Sequence, residues 1–251
     1  MSDVHPKPEL AFELPESDVR GKPFYGECAP KWRLARFAKN TLGRLGIILY
    51  RSKFLCVENI PDGGCIIAGN HTSTIDPVMI YGESPKGMIH FVGKKELWKH
   101  PALGWIFDHL GGVPVYRGTA DRTMIKTVVS LLKAGEKVGI YPEGTRVRGE
   151  EDDHSGHGGA AFLAIMANAP VVPVGIAGAD KIMPDGARFP RFPRVVHRFG
   201  APIYPASFEG TNRERVKAMT EAIMNAIIEQ RDLARPVSEG LVRPGEEGPC
   251  A

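Results

Sequence analysis

At 251 residues, 43% apolar and 24% charged, the chain is long enough for one sizeable α/β domain with appendages, two small domains being the lesser alternative. It has an ordinary globular composition, so a packed core is expected, and no uncharged apolar run reaches the length of a bilayer-spanning helix. The net charge of +3 is modest, and its distribution along the chain says more than its sum.

Residues 1–29 carry Pro, Glu and Asp without a sustained period and read as a flexible extension. They lack the basic-then-apolar order of a signal peptide. The four cysteines, Cys28, Cys56, Cys65 and Cys250, are scattered and form no C-x-x-C pair. That pattern suits free thiols in a reducing cytosol better than a disulfide frame or a zinc site. Between Lys31 and Lys53 the chain alternates cations with bulky apolar residues and has no acidic one. Residues 30–54 are therefore expected to form a basic amphipathic helical segment suited to an anionic membrane surface, or one packed on the domain with its basic side in water. Gly43 and Gly46 make two short helices as acceptable as one. Nucleic acid is not expected as a partner, because no recognition motif accompanies the charge.

The body alternates short apolar runs with helical stretches. Strands are expected at 64–68, 89–92, 113–116, 138–141, 171–176 and 195–199, and helices at 77–81, 95–99, 101–110, 121–134, 159–168 and 213–231. This predicts a mainly parallel central sheet flanked by helices, occupying 55–234. From Arg235 the tail turns polar and rich in Gly and Pro, and is expected to be disordered. In such sheets ligands gather at the carboxyl ends of strands.

Three loops at such ends carry chemistry. Asn70-His71-Thr72-Ser73-Thr74-Ile75-Asp76 follows the first expected strand. On one regular helix, residues five apart point about 140° away from each other. His71 and Asp76 meet only if the histidine lies on the loop and the aspartate at the helix entry, where Asp76 would orient a general base. Asp-Pro is also a common helix opening, so Asp76 serves equally as a cap. Ser73 is a minor alternative as nucleophile. Arg117 follows the third strand and offers paired hydrogen bonds to a phosphate, or simply a solvent-facing strand end. After the fourth strand, Glu143, Gly144, Thr145 and Arg146 read as an anion-binding turn, with Glu143 in an orienting role. The acidic run 150–153 with His154 and His157 reads as a solvated surface loop, not a metal site.

The blocks NHTSTID, GVPVYRG, YPEGTR and VVPVGI, in that order, resemble the 1-acylglycerol-3-phosphate acyltransferase family of the glycerophospholipid acyltransferase superfamily. The match spans roughly 60–200. The resemblance implies that His71, in the HX4D spacing with Asp76, takes the proton of an acceptor hydroxyl. It implies that Arg117, Glu143, Gly144, Thr145 and Arg146 hold the acceptor's glycerol phosphate. It also implies acyl-CoA or acyl carrier protein as donor substrate, a lysophospholipid acceptor and no cofactor. The expected place is the cytoplasmic face of the membrane, peripherally bound. Another lysophospholipid or hydroxylated lipid is the alternative acceptor, and a non-catalytic lipid-binding protein the alternative function.

Overall fold

A computed structural model of the chain describes residues 37, 39–73, 76–83, 89–101, 104, 107, 108, 111–116, 121–144, 156–184, 186–246 and 248–250. The expected extension 1–29, Arg117, Thr145, Arg146 and the acidic run with His154 lie outside the described residues.

The apolar runs form strands β1 Lys53–Leu55, β2 Cys65–Gly69, β3 Ile89–Lys94, β4 Val113–Val115, β5 Lys137–Ile140, β6 Val171–Ala177 and β7 Val196–Phe199. They make one sheet in the order β1-β7-β6-β2-β5-β3-β4. Strands β6, β2, β5, β3 and β4 are mutually parallel, while β7 runs antiparallel to β6 and β1 follows the direction of β7. The sheet is thus mainly parallel, as expected. Strand β1 overlaps the end of the 30–54 segment expected to be helical. It has only three residues, opening on an exposed lysine, so it leaves no period to read.

The helices are α1 Arg44–Leu49, α2 Asp76–Glu83, α3 Arg122–Lys133, α4 Gly159–Ala167 and α5 Asn212–Glu239. Within the basic segment, the π-helical turn Lys39–Gly43 runs directly into α1, with Gly43 at right-handed helical angles, so residues 39–49 form one helical run despite the two glycines. Residues Lys95–Lys99 form a 3-10 helix, and the described residues 101, 104, 107 and 108 are helical. Alternation along β2 assigns the layers. Ile66 and Ala68 pack with α3, α4 and α5, whereas Cys65 and Ile67 face Tyr50 and the α2 residues Met79 and Ile80. With both faces covered, β2 is buried throughout, which is why it reads as a continuous apolar run.

Helix α5 starts in a capping box between Thr211 and Glu214 and crosses β6 and β7. The crossing depends on Gly175, where a Cβ would lie 2.0 Å from the Arg231 backbone nitrogen. The helix continues past the expected end at 231 to Glu239, with Pro236 inside its last turns. The tail expected to be disordered from 235 therefore begins as helix. Its end is fastened as well: Arg198 donates to the Pro249 carbonyl at 2.6 Å, and Cys250 forms a disulfide with Cys56. This corrects the expectation of scattered free thiols. The two cysteines are 194 positions apart, and their spacing carries no sign that the tail returns to the β1 margin. Cys65 is a free, buried thiol.

Candidate active site

Strand β2 stops at Gly69, and the next residue fixes the loop. Asn70 donates from Nδ2 to the Ile176 carbonyl at 3.0 Å and accepts the Ile176 N–H on Oδ1 at 2.7 Å. The buried amide continues the pairing of β2 with β6 after the backbone has turned away, and its near-complete burial makes those bonds costly to lose. His71 therefore starts from a fixed anchor.

Asp76 opens α2 and is completely buried. Its Oδ2 accepts the N–H groups of Ser73 at 2.7 Å and Thr72 at 3.0 Å, and lies 3.2 Å from His71 Nδ1. The cap and the histidine partner are thus one oxygen: the carboxylate that gathers the loop N–H groups is the one that orients the ring. Burial pushes the Asp76 carboxyl above its ordinary range, and the hydrogen bonds from His71, Ser73 and Thr72 pull against that rise. With the Nδ1 proton directed at the carboxylate, Nε2 is left as the acceptor, and it has no hydrogen bond among the described residues.

Strand β5 supplies the other wall. Tyr141 stacks on the His71 ring with centroids 4.3 Å apart and planes 22° from parallel. Burial, and next the nearby Asp76 charge, raise the Tyr141 phenol well above its ordinary range, so it stays protonated. Glu143 places Oε2 2.9 Å from the His71 backbone N–H, an orienting contact. Gly144 takes φ +68°, and a Cβ there would lie 2.9 Å from His157 Cδ2. The turn is closed by His157 N–H donating to the Pro142 carbonyl at 2.9 Å. Two loops far apart in sequence thus converge on one imidazole.

Of the expected site residues, His71, Asp76, Glu143 and Gly144 come together. Ser73 is buried with its N–H on Asp76, a poor position for a nucleophile. Arg117 and the pair Thr145–Arg146 follow Tyr116 and Gly144 directly in sequence. Near Tyr116, at the carboxyl ends of β3 and β4, lies a cavity of about 520 Å³ lined in part by Lys95, Trp98, Lys99 and Asp108. Asn70 and Tyr141 open the blocks NHTSTID and YPEGTR, but nothing in the sequence assigned either a role. Among the described residues, the one grouping of metal-ligating side chains is Cys56, Glu58 and Cys250, whose thiols are joined in the disulfide.

A ring held by a buried carboxylate on one nitrogen and open on the other, at the carboxyl edge of a mainly parallel sheet, has the geometry that general-base chemistry requires. The family model described as Acyltransferase matches residues 52–177. A 1-acyl-sn-glycerol-3-phosphate acyltransferase of Bacillus subtilis is 33% identical over 174 residues, covering 68% of this chain and 84% of that protein. The crystal structure of the 1-acyl-sn-glycerophosphate acyltransferase PlsC from Thermotoga maritima superposes with a TM-score of 0.61 at 25% identity, covering 79% of this chain and 80% of the other. A lyso-ornithine lipid O-acyltransferase of Pseudomonas aeruginosa is 30% identical over 117 residues, 46% of this chain and 44% of its own length. The chain belongs to the acyltransferase family, in its 1-acyl-sn-glycerol-3-phosphate acyltransferase branch, and is an enzyme of that type.

Proposed function

We propose that the protein moves a fatty acyl group from acyl-CoA or acyl carrier protein to the free hydroxyl of 1-acylglycerol-3-phosphate, giving phosphatidic acid for phospholipid synthesis. The observation that carries this reading is the 3.2 Å contact between His71 Nδ1 and the buried Asp76 carboxylate, with Nε2 left open. Nε2 takes the proton as the acceptor oxygen attacks the thioester carbonyl, and Asp76 stabilises the imidazolium that forms. Collapse of the tetrahedral intermediate breaks the carbon–sulfur bond, and the imidazolium returns its proton to the departing thiolate. The acceptor oxygen is itself the nucleophile, so neither an acyl-enzyme nor a cofactor enters the scheme.

Arg117, Thr145 and Arg146 are proposed to hold the acceptor's phosphate, with Gly144 allowing close backbone approach. Lys95 and Lys99, which line the cavity at the ends of β3 and β4, add positive charge on the same edge of the sheet. Glu143 fixes the His71 loop. The exposed Leu45, Ile48 and Leu49 of α1, with Arg44 beside them, support peripheral attachment to the membrane. The face proposed is the cytoplasmic one, where acyl-CoA and acyl carrier protein are found. No helix among the described residues is long and apolar enough to cross a membrane.

The likeness to a lyso-ornithine lipid O-acyltransferase favours a second reading, in which the acceptor is another hydroxylated lysolipid. Product analysis by mass spectrometry over a panel of lysolipids, with both donor types offered, decides between them. Phosphatidic acid as the dominant product supports the first reading. A dominant product from a phosphate-free acceptor supports the second.

A further inference from the structure

Three of the exposed large hydrophobic residues fall in the single loop that joins β6 to β7: Met183, Phe189 at 79% exposure and Phe192 at 51%. Around them runs the repeat Arg188-Phe189-Pro190-Arg191-Phe192-Pro193-Arg194. Nothing in the chemistry at His71 uses it. The loop is nevertheless held in shape. Arg191 N–H donates to the carbonyl of buried Ile182 at 2.7 Å, closing the neck, and Ala187 N–H donates to Pro184 at 3.0 Å. Pro184, Pro190 and Pro193 restrict the backbone further. The guanidinium groups of Arg188 and Arg191 make no hydrogen bond or ion pair among the described residues. The neighbouring cations are engaged, Arg194 with the Val237 carbonyl at 3.2 Å and Lys181 with Glu239 at 3.2 Å.

Its position in the fold matters as much as its composition. Because β6 is parallel to β2 and β7 antiparallel to β6, the loop leaves the same edge of the sheet as His71. Because β1 follows β7, helix α1 arrives at that edge too. The two are fastened side by side. Val195 N–H donates to the Tyr50 carbonyl at 3.1 Å, and Lys53 N–H to the Val195 carbonyl at 2.9 Å. Arg51 donates to the Phe192 carbonyl at 3.2 Å, and the Tyr50 and Phe192 rings lie 5.5 Å apart. Helix α1 in turn packs on α2, which begins with Asp76. Apolar side chains from loop and helix thus share one margin with free cations, next to the catalytic corner. That combination matches a surface with phosphate charge outside and hydrocarbon beneath, and a purely aqueous partner would leave the phenylalanines uncompensated.

We propose that the 182–194 loop is a second membrane-contact element. Phe189 and Phe192 enter the acyl-chain boundary of an anionic bilayer, Arg188 and Arg191 meet lipid phosphates, and loop and α1 together turn the open edge of the His71 site toward the lipid. Only the last clause rests on the acyltransferase reading. The test measures co-sedimentation of the full chain with vesicles of phosphatidylcholine alone and mixed with phosphatidylglycerol. Phe189→Ser, at a side chain exposed enough to be neutral for folding, is expected to lower partition onto the mixed vesicles about tenfold. Arg188→Glu with Arg191→Glu is expected to lower it at least about tenfold on the mixed vesicles and little on phosphatidylcholine alone. Turnover of a vesicle-borne acceptor falls with partition, while turnover of a dispersed short-chain acceptor stays at the wild-type level. Equal partition of wild type and both variants overturns the proposal, as does a wild type that binds neither vesicle. So does lipid-free self-association abolished by Phe189→Ser, which would make the occupant a second copy. Absence of turnover with every acceptor counts against the acyltransferase reading alone, because partition is read without catalysis.

Discussion

His71, at the end of β2, and His197, inside β7, carry the same imidazole in opposite circumstances. The His71 ring is one-fifth exposed, rests on Tyr141 and has a buried carboxylate 3.2 Å from Nδ1. The His197 ring is fully buried and lies flat on Phe54, with centroids 4.6 Å apart and planes within 2°. Burial lowers the His197 pKa to about 3, so the ring stays neutral and serves as packing. Depth alone therefore makes an inert side chain. A base needs a charged partner on one nitrogen and access on the other, and among the described residues the loop between β2 and α2 supplies both to its histidine.

The largest expected effect removes the difference at its source. His71→Ala should lower acyl transfer by about 10²- to 10⁴-fold, the range of a lost general base, while the thermal midpoint stays near that of wild type because the ring is partly exposed. His197→Leu should do the reverse, leaving turnover intact. Next comes Asp76→Asn. It keeps the shape but removes the charge that opposes the imidazolium, so kcat should fall by at least about tenfold with little change in the acceptor's KM. Thereafter comes Asn70→Ala, which strips the Ile176 N–H and carbonyl of their side-chain partner. Leaving buried groups unpaired should cost about 1–3 kcal/mol in a denaturant titration, and the loosened His71 loop should lower kcat as well.

The pH dependence of stability sharpens the comparison without touching turnover. The folded-state pKa of His197 is depressed from 6.5 to about 3. Below pH 6.5 the unfolded chain therefore binds a proton that the folded chain refuses. Stability should fall as pH drops from about 6.5 toward 3, by up to about 1.4 kcal/mol per pH unit from this ring. His90, also lowered by burial, contributes in the same direction. Denaturant midpoints across that window should show the slope, and His197→Leu should flatten it. A slope unchanged by that substitution would place the acid sensitivity elsewhere.

What the sequence disclosed follows from locality. Strands such as β6 and β7 were legible to within a residue or two, because their apolar runs are bounded by Gly and Pro. The His71–Asp76 pair was legible because loop and helix entry are adjacent in the chain. Asn70 was not, since its partner Ile176 lies 106 positions away and an asparagine after a strand has many uses. Tyr141 reads as the end of a strand until the fold lays it against His71. Strand β1 was hidden by its three residues, and the Cys56–Cys250 bond by a separation that only tertiary structure closes. The loop at 182–194 passed as connection because exposed phenylalanine has no periodic signature.

The central claim is that His71 removes the proton from a lipid hydroxyl as that oxygen attacks the thioester. The most direct measurement is acceptor-dependent release of free thiol from acyl-CoA or acyl carrier protein, by wild type and by His71→Ala confirmed as folded. The expected result is release by wild type only when lysophosphatidic acid or another accepted lysolipid is present, and almost none from the variant. Full acceptor-dependent release by His71→Ala would contradict the account.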